Sequence, residues 1–590
     1  PDTLAINAGA HLAVVAAAVA GFALPALPAG AVAFLGGLGA AAIVMALGAA
    51  GGRSGPTRLI LAGSATALAL SSLTMVLLLL FEQETIGLFA WGNGSLVQTD
   101  LTAVSQLAPV VVLAVGAALL TARRLDILAL GDDTASVLGV PVRRTRFTVI
   151  ALAVLLAAAA VTLTGPIGFV GLCAPVIVRL LGRLVPRVHR HLVLVPLSSL
   201  VGALIVIGAD VLLRALLGAH AGVEVPTGVV TTLLGAVVLI WLARGRRDSG
   251  PTRRPPTARM AAVRSRTFVL VVVAGCAVAV VSALVAGLLM GDTMLLTGDV
   301  VNWLRGRTGP GLTFVLDQRY PRVAAALLAG AALAVAGTTV QAVCRNPLAE
   351  PGILGITGGA GVAAVTVITI VPAAGIWTIT GAAAIGALAA FALVYGLSWR
   401  GGLDSDRLVL IGVGTWFGGT AAITFLIVAF DPWNTGKALT WLSGSTYGRT
   451  IGQVVPVALA LLLVTPVVAA ARRELDLLSL DDDTPRVLGV RLEAFRLTAL
   501  GGAALLAAAA VSAVGVIGFV GLVAPHAARA LVGGRHARVL PVAALLGALL
   551  VSLADTVGRT VIAPAQIPAG LVTALIGTPY FVWLLWRSTR

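Results

Sequence analysis

The chain has 590 residues, of which 59% are hydrophobic and only 11% carry a charge. Soluble domains are about half apolar and about a quarter charged, so this composition excludes a water-soluble enzyme and a disordered chain. The net charge of +16 comes mainly from alternate loops, which the positive-inside rule assigns to the cytoplasm. We therefore expect a multi-pass protein surrounded by lipid, with no nucleic-acid partner.

No catalytic or metal-binding site is predicted. The three cysteines, Cys173, Cys276 and Cys344, are far apart, and neither CxxC nor HExxH occurs in the chain. The spacing typical of disulfide frameworks and zinc sites is therefore missing from the sequence.

The chain contains an internal repeat. LDILALGDDTASVLGV at 125–140 returns as LDLLSLDDDTPRVLGV at 475–490, and GFVGLCAP at 168–175 returns as GFVGLVAP at 518–525. Both repeats have the same offset of 350 residues, which indicates that one unit was duplicated and fused.

A stretch rich in Arg and Pro joins the two copies. Residues 244–266 have no apolar periodicity, so we predict a solvated cytoplasmic linker there. The chain then divides into a first half at 1–243 and a second half at 267–590.

Apolar runs of about 18 residues or more predict membrane spans. The first half contains eight and the second half ten. The ten lie at roughly 267–290, 323–344, 354–372, 376–398, 408–430, 451–471, 497–513, 518–531, 541–563 and 568–586. An even number of spans per unit gives both copies the same orientation, unlike the inverted repeats of many secondary transporters. We predict an all-α polytopic membrane protein with two tandem, parallel ten-span repeats and about 18 spans in this chain.

The first half has no counterpart of the second half's first two spans. PDTLAINAGA at 1–10 aligns with PGILGITGGA at 351–360 at the same offset, which leaves the 84 residues from 267 to 350 unmatched. We expect about that many residues, with two further spans, upstream of Pro1 in the complete protein.

Matching short segments lie on the outer side of each half. They contain Trp91, Gly94 and Ser95 in the first half and Trp441, Gly444 and Ser445 in the second. Each could line a re-entrant gate on the translocation path or form a simple interfacial turn.

The repeated cytoplasmic segment predicts a short capped helix in each half. Asp and Thr side chains cap helix N-termini, Pro suits the first helical position, and Gly ends a helix. The residues concerned are Asp132, Asp133, Thr134 and Gly139 in the first half and Asp481, Asp482, Asp483, Thr484, Pro485 and Gly489 in the second. An ordinary loop would explain a single copy, but a duplicated capped helix is what a motor with two equivalent subunits would push against.

Two carboxylate–guanidinium pairs are predicted inside the membrane. Asp210 and Arg214, and likewise Asp555 and Arg559, are four residues apart in the ninth span of the unit, so each pair shares one helix face. Charges in a span suggest a function, here either a structural pair or a contact site for something outside. A proton relay is the weaker alternative, because an adjacent arginine keeps an aspartate ionised.

Two further arginines face outward, against the positive-inside bias. Arg319 and Arg322 lie in the sequence RYPR, at the predicted outer mouth of the second half's second span. They either anchor that helix at the lipid headgroups or, with Arg214 and Arg559 at the same level, dock an acidic surface.

No nucleotide site is predicted. The only lysine, Lys437, lies in NTGKA at 434–438, which lacks the first glycine of GxxxxGK[ST] and the hydroxyl that holds Mg²⁺. We therefore expect no cofactor in this chain, and any ATPase that drives it must be a separate chain that binds ATP and Mg.

Several motifs together resemble one family. RYPR at 319–322, Gln341, NPLAEPG at 346–352, LDLLSLDDDTPRVLGV, GVIGFVGLVAPH and IPAGLVTALIGTPYFVW look like the ten-span permeases of iron-siderophore and cobalamin ABC importers. The resemblance covers nearly the whole chain, and the fused halves are similar to ferric hydroxamate permeases. It implies two copies of a cytoplasmic ATPase that grip the short helices, an external substrate-binding protein, and a location in the bacterial plasma (inner) membrane.

The resemblance also implies residue roles. Arg214, Arg319, Arg322 and Arg559 would contact acidic residues of the binding protein. The first half departs from the pattern, since it has no counterpart of Arg319 or Arg322, and Val176 stands where the second half has His526.

The sequence thus predicts a permease that moves a ferric siderophore, of the hydroxamate type, by alternating access between its two halves, without enzymatic activity of its own. The alternative is a proton-coupled secondary transporter that uses Asp210 and Asp555.

Overall fold

The computed structural model describes thirteen stretches of the chain, and its regular elements there are helices apart from one isolated bridge between Trp399 and Leu403. The described residues are 4–22, 26–49, 56–85, 87–97, 100–182, 185–218, 224–245, 264–347, 349–371, 373–400, 402–431, 435–481 and 483–587. Asp482 and most of the predicted linker lie outside these ranges.

The part of the chain before the linker forms eleven described α-helices. They are α1 Ile6–Val19, α2 Ala26–Ala49, α3 Pro56–Leu80, α4 Leu88–Trp91, α5 Thr102–Leu120, α6 Ala122–Leu128, α7 Asp132–Val137, α8 Val142–Thr164, α9 Val170–Leu181, α10 His191–Leu217 and α11 Thr227–Gly245.

Fourteen described α-helices follow the linker. They are α12 Arg266–Leu289, α13 Thr297–Leu304, α14 Pro310–Val343, α15 Ile356–Ile370, α16 Ile376–Ser398, α17 Ser405–Phe430, α18 Thr435–Leu442, α19 Ile451–Ala470, α20 Arg472–Leu478, α21 Asp483–Val487, α22 Leu492–Val514, α23 Val520–Val532, α24 His536–Thr560 and α25 Ala569–Arg587.

The predicted fold class is confirmed. Within the described ranges, 13 helices are long and apolar enough to cross a membrane, and five shorter apolar helices occupy the remaining predicted spans. Each of the ten spans predicted in the second half has its own helix, with ends displaced by a few residues in most cases.

The second span of the second half differs most from its prediction. Helix α14 begins at Pro310 and has 34 residues, which at 1.5 Å per residue is about 51 Å long. A hydrocarbon core is only about 30 Å thick, so α14 extends beyond the membrane. Arg319 and Arg322 therefore lie inside this helix and not at its mouth. Proline at the first helical position explains the early start.

The chain divides into two compact units. The first comprises Pro1–Val238 with Phe581–Arg590, and the second comprises Leu239–Tyr580. In the second unit α14 is the most buried of the long helices, and it packs on α24 through small residues, with Gly330 facing Gly547. Small residues let two helix backbones approach closely inside a membrane.

Candidate functional site

The short cytoplasmic helix of the first unit is α7, and it begins earlier than predicted. Its N-cap is Gly131, with no side-chain cap, so Asp132 and Asp133 lie in the first turn and do not cap it. Carboxylates there still favour the helix through its dipole, and Asp132 also forms a 2.6 Å ion pair with Arg146. Gly139 ends α7 with φ +78°.

The matching helix of the second unit, α21, is capped by a side chain. The Asp481 carboxylate accepts hydrogen bonds from the Thr484 backbone N–H at 2.6 Å and from its hydroxyl at 2.9 Å. These hydrogen bonds lower the pKa of Asp481. The helix starts at Asp483, so Pro485 is its third residue and not its first. Gly489 ends it with φ +84°.

Both helices end in the same hydrogen-bonded motif. The N–H of Gly139 donates to the carbonyl of Ser136 and that of Val140 to Ala135; the second unit repeats both bonds with Gly489 and Val490 as donors. This is the Schellman arrangement, in which the left-handed residue is normally glycine. We call α7 and α21 the coupling helices.

The coupling helices expose apolar side chains at equivalent positions. Val137 is 86% exposed and Val487 is 85% exposed, and their neighbours Leu138 and Leu488 are exposed too. Exposed apolar groups next to acidic ones are typical of a surface that a partner protein covers. The sequence predicted the two short helices but not this apolar edge.

An aspartate before each coupling helix contacts a distant helix. Asp476 on α20 accepts from the backbone N–H of His536 at 2.9 Å and lies 2.6 Å from its Nδ1. Asp126 on α6 makes the same two contacts with His191, at 2.8 and 2.5 Å. Both histidines are the first residues of long helices, α24 and α10. Sequence analysis missed these pairs, although both aspartates lie within the repeated LDxLxLxDD segment.

The pKa of both aspartates reflects this contact. Burial alone would raise it, but the hydrogen bonds and charge of the histidine outweigh burial and hold the pKa of Asp126 and Asp476 below the usual value. Both carboxylates are therefore ionised at neutral pH, where they also favour the positive end of the helix dipole.

At the outer end of α10, the first unit has its predicted ion pair. Arg214 Nε lies 2.8 Å from Asp210 Oδ2, and the Arg214 side chain is 45% exposed. Thr227 adds a 3.4 Å hydrogen bond to the same carboxylate.

The corresponding pair in the second unit is part of a larger buried cluster. Asp555 and Arg559 approach only to 3.7 Å, because Asp555 pairs mainly with Arg322, at 2.9 Å. Thr446 also donates to Asp555, and Gln566 accepts from Arg322 Nη1 at 2.8 Å. We call these five residues the outer network.

Three of the four predicted docking arginines are buried. Arg319, Arg322 and Arg559 are 5%, 8% and 3% exposed, because each guanidinium finds partners inside the protein. Arg319 bonds Asp292 at 2.9 Å and the carbonyl of Thr293 at 2.7 Å, and Arg559 donates to the carbonyl of Gly287. Of the four arginines, Arg214 alone presents an exposed guanidinium. Their contact with a binding protein stays a prediction.

The outer segments form tight turns held by backbone contacts. Trp91 ends α4 and Trp441 lies in α18, while Gly94 and Gly444 adopt φ of +77° and +68°. The carbonyls of these glycines accept from the N–H of Gly228 at 3.1 Å and Gly570 at 2.9 Å.

The serines of these turns also bond locally. Ser95 Oγ accepts from Val97 N–H, and Ser445 Oγ accepts from Tyr447 N–H, both at 3.2 Å. These contacts show that each segment is a hydrogen-bonded turn, and both its position at the membrane interface and its role as a gate remain predictions.

The described helices, their repeated cytoplasmic ends and their paired charges define a membrane permease made of two related units. Among the described residues, no group of three or more His, Cys, Asp or Glu side chains could hold a metal ion. The sequence profile of the FecCD transport family matches residues 1–245 and 264–587. The chain belongs to this family and is a permease subunit of the ABC importer class.

Full-length relatives have the same fused organisation. The chain is 35% identical over 593 aligned residues to the iron(3+)-hydroxamate import system permease protein FhuB of Salmonella typhimurium, covering 100% of this chain and 83% of that relative. FhuB of Escherichia coli is 34% identical, with 100% and 86% covered.

Single-unit proteins match one half. FhuG of Bacillus subtilis, an iron(3+)-hydroxamate import system permease protein, is 40% identical over 46% of this chain and 84% of its own length. A solved structure described as an inward-facing metal-chelate type ABC transporter is 28% identical, covers 54% of this chain and 99% of its own, and has a TM-score of 0.48.

Proposed function

We propose that the chain is the membrane permease of an ATP-driven importer that carries a ferric siderophore of the hydroxamate type into the cell. The observation that carries this proposal is its 35% identity, along its whole length, to a fused iron(3+)-hydroxamate permease. The ferric complex is cargo and not a resident cofactor. It passes between the two halves by alternating access in the plasma membrane.

The coupling helices are the proposed contacts of the ATPase. Two equivalent helices with exposed Val137 and Val487 fit two copies of one ATPase subunit, which would bind ATP and Mg. The apolar edge supplies the contact area.

Delivery is assigned to an external binding protein that carries acidic groups. Of the four predicted docking arginines Arg214 is the exposed one, while the arginines of the outer network become available only if that network opens. The exposed Arg214 therefore makes the first contact.

The carboxylates that a proton-coupled transporter would use already form ion pairs. Asp210 lies 2.8 Å from Arg214, and Asp555 lies 2.9 Å from Arg322. Each carboxylate is already engaged by a guanidinium of this chain, which fits a structural or recognition role better than proton transfer. We therefore favour coupling to ATP.

The test is uptake of radiolabelled iron by proteoliposomes that contain this chain, its ATPase and its binding protein. Ferric hydroxamate uptake should require ATP inside the vesicle, stop with vanadate and ignore an uncoupler. Ferric catecholate serves as the control cargo, and iron-free hydroxamate serves as a competitor. Uptake without ATP that collapses with the uncoupler would overturn the proposal, and native mass spectrometry should find two ATPase copies per chain.

A further inference from the structure

The two Asp–His contacts, Asp126–His191 and Asp476–His536, differ from ordinary helix caps. An ordinary cap comes from the residue just before its own helix, as Asp404 does when it accepts from Arg407 N–H at 2.7 Å. Asp126 and Asp476 instead lie 65 and 60 residues before the histidine whose N–H they accept. Each contact therefore connects two separate elements of the cytoplasmic face. We call these contacts the Asp–His joints.

Each joint begins next to a coupling helix. Helix α20 ends at Leu478, and the coupling helix α21 starts at Asp483. Leu475 and Leu478 are buried in the core of the second unit, so α20 is packed firmly, with Asp476 pointing at α24. Only four residues connect α20 to α21. A displacement of α21 would therefore move α20, and the contact of Asp476 with His536 would move the start of α24.

Each joint leads to a helix that ends at the outer charges. Helix α24 has 25 residues and is about 38 Å long at 1.5 Å per residue. Its far end carries Asp555 and Arg559 of the outer network. Helix α10 of the first unit likewise starts at its joint and carries Asp210 and Arg214 near its far end. The same chain of contacts is thus present in both units.

We propose that Asp126 and Asp476 are positioning residues that transmit movement of the coupling helices to α10 and α24. This inference rests on the proposed function, because it needs an ATPase that moves the coupling helices. Two observations carry it. The joint occurs at equivalent places in both units, and both acceptor bonds of each aspartate go to one residue at the start of the helix.

The test compares variants of the full chain, reconstituted with its ATPase and binding protein. Asp476→Ala removes both contacts, while Asp476→Asn keeps an oxygen that accepts from the N–H and ring of His536. Asp404→Ala is the matched control, because it also removes a carboxylate from a cytoplasmic helix N-terminus but joins no second element. The readouts are the ATPase rate with binding protein and the ferric hydroxamate taken up per ATP hydrolysed.

Asp476→Ala should retain ATP hydrolysis but lose roughly fivefold in uptake per ATP, because the hydrogen bonds that connect α20 to the first residue of α24 are lost. Asp476→Asn should recover most of that ratio, and Asp404→Ala should keep the wild-type ratio. Asp126→Ala should repeat the effect, and the double alanine variant should exceed either single one.

Equal uptake per ATP in wild type and in a folded Asp476→Ala protein would overturn the proposal. A ratio lowered equally by Asp404→Ala would do so too, because the effect would then be general destabilisation. If Asp476→Ala does not fold, His536→Ala decides, since it keeps the backbone bond and must still lower the ratio. Failure of the wild type to couple uptake to ATP would instead contradict the proposed function.

Discussion

Replacing Gly489 by valine tests whether the hydrogen-bonded C-terminal turn of α21 is needed to bind the ATPase. Gly489 has φ +84°, where a residue with a Cβ costs about 1–2 kcal/mol and a β-branched one is a genuine outlier. The left-handed residue positions two bonds, from Gly489 N–H to Arg486 at 3.0 Å and from Val490 N–H to Pro485 at 2.9 Å. Because α21 has only five residues, losing these bonds unwinds much of it.

If the ATPase binds α21 only when this helix is folded, its apparent affinity falls in proportion to the fraction of molecules with a folded α21. A free-energy cost near 1.4 kcal/mol for folding this turn raises the dissociation constant of the ATPase about tenfold. The assay is titration of purified ATPase onto the permease in nanodiscs. Gly489→Asn should bind the ATPase almost normally, since Asn tolerates this conformation. Gly534→Val is the control for a glycine-to-valine change, because Gly534 is exposed with open space around it. Wild-type binding by Gly489→Val, or equal weakening by Gly489→Asn, would refute the reasoning.

Three further predictions concern the outer side. Arg214→Glu should slow association of the binding protein and reduce its salt dependence, as mutation of rim charges does; stopped-flow binding measures this. Arg322→Glu should mainly lower the yield of folded protein, because it sets a carboxylate against Asp555; size-exclusion chromatography measures that yield. Asp555→Asn should destabilise the protein by about 3–5 kcal/mol, since it leaves a buried cation without its partner, and an unchanged thermal midpoint would contradict this. Gly444→Ala should cost about 1–3 kcal/mol more than Gly448→Ala, because both have positive φ but only Gly444 faces a carbonyl, that of Val516.

The elements predicted best from sequence were those with a strong local signal. Apolar runs predicted the helices because burial in lipid requires each span to satisfy its own backbone hydrogen bonds. Gly139 and Gly489 were predicted as helix ends because few other residues accept a left-handed conformation. The predicted start of α21 was wrong by two residues. Proline placement predicted a start at Pro485, whereas Asp481 caps a helix that starts at Asp483.

Contacts between distant segments could not be predicted in this way. Asp476 and His536 are 60 residues apart, and no periodicity relates them. Phe519 adopts φ +67°, which large residues rarely do, and the residue type does not signal it. The burial of Arg322 was missed for a similar reason, because its partner Asp555 is 233 residues away and a local pattern suggested Arg559 instead.

The outer ends of the two units differ for a physical reason that follows from these contacts. Asp210 has one exposed guanidinium partner, and an exposed ion pair is worth about 0–1 kcal/mol, so Arg214 exchanges partners easily. Asp555 is enclosed with Arg322, and separating a buried pair costs several kcal/mol unless a new partner replaces the lost one. An incoming carboxylate can therefore engage Arg214 by simple collision. To pair with Arg322 Nε it must compete with Asp555, which lies on the helix that begins at His536. Under the proposed function, a binding-protein carboxylate that pairs with Arg322 would therefore act on α24, and recognition outside and coupling inside would involve one helix in that unit.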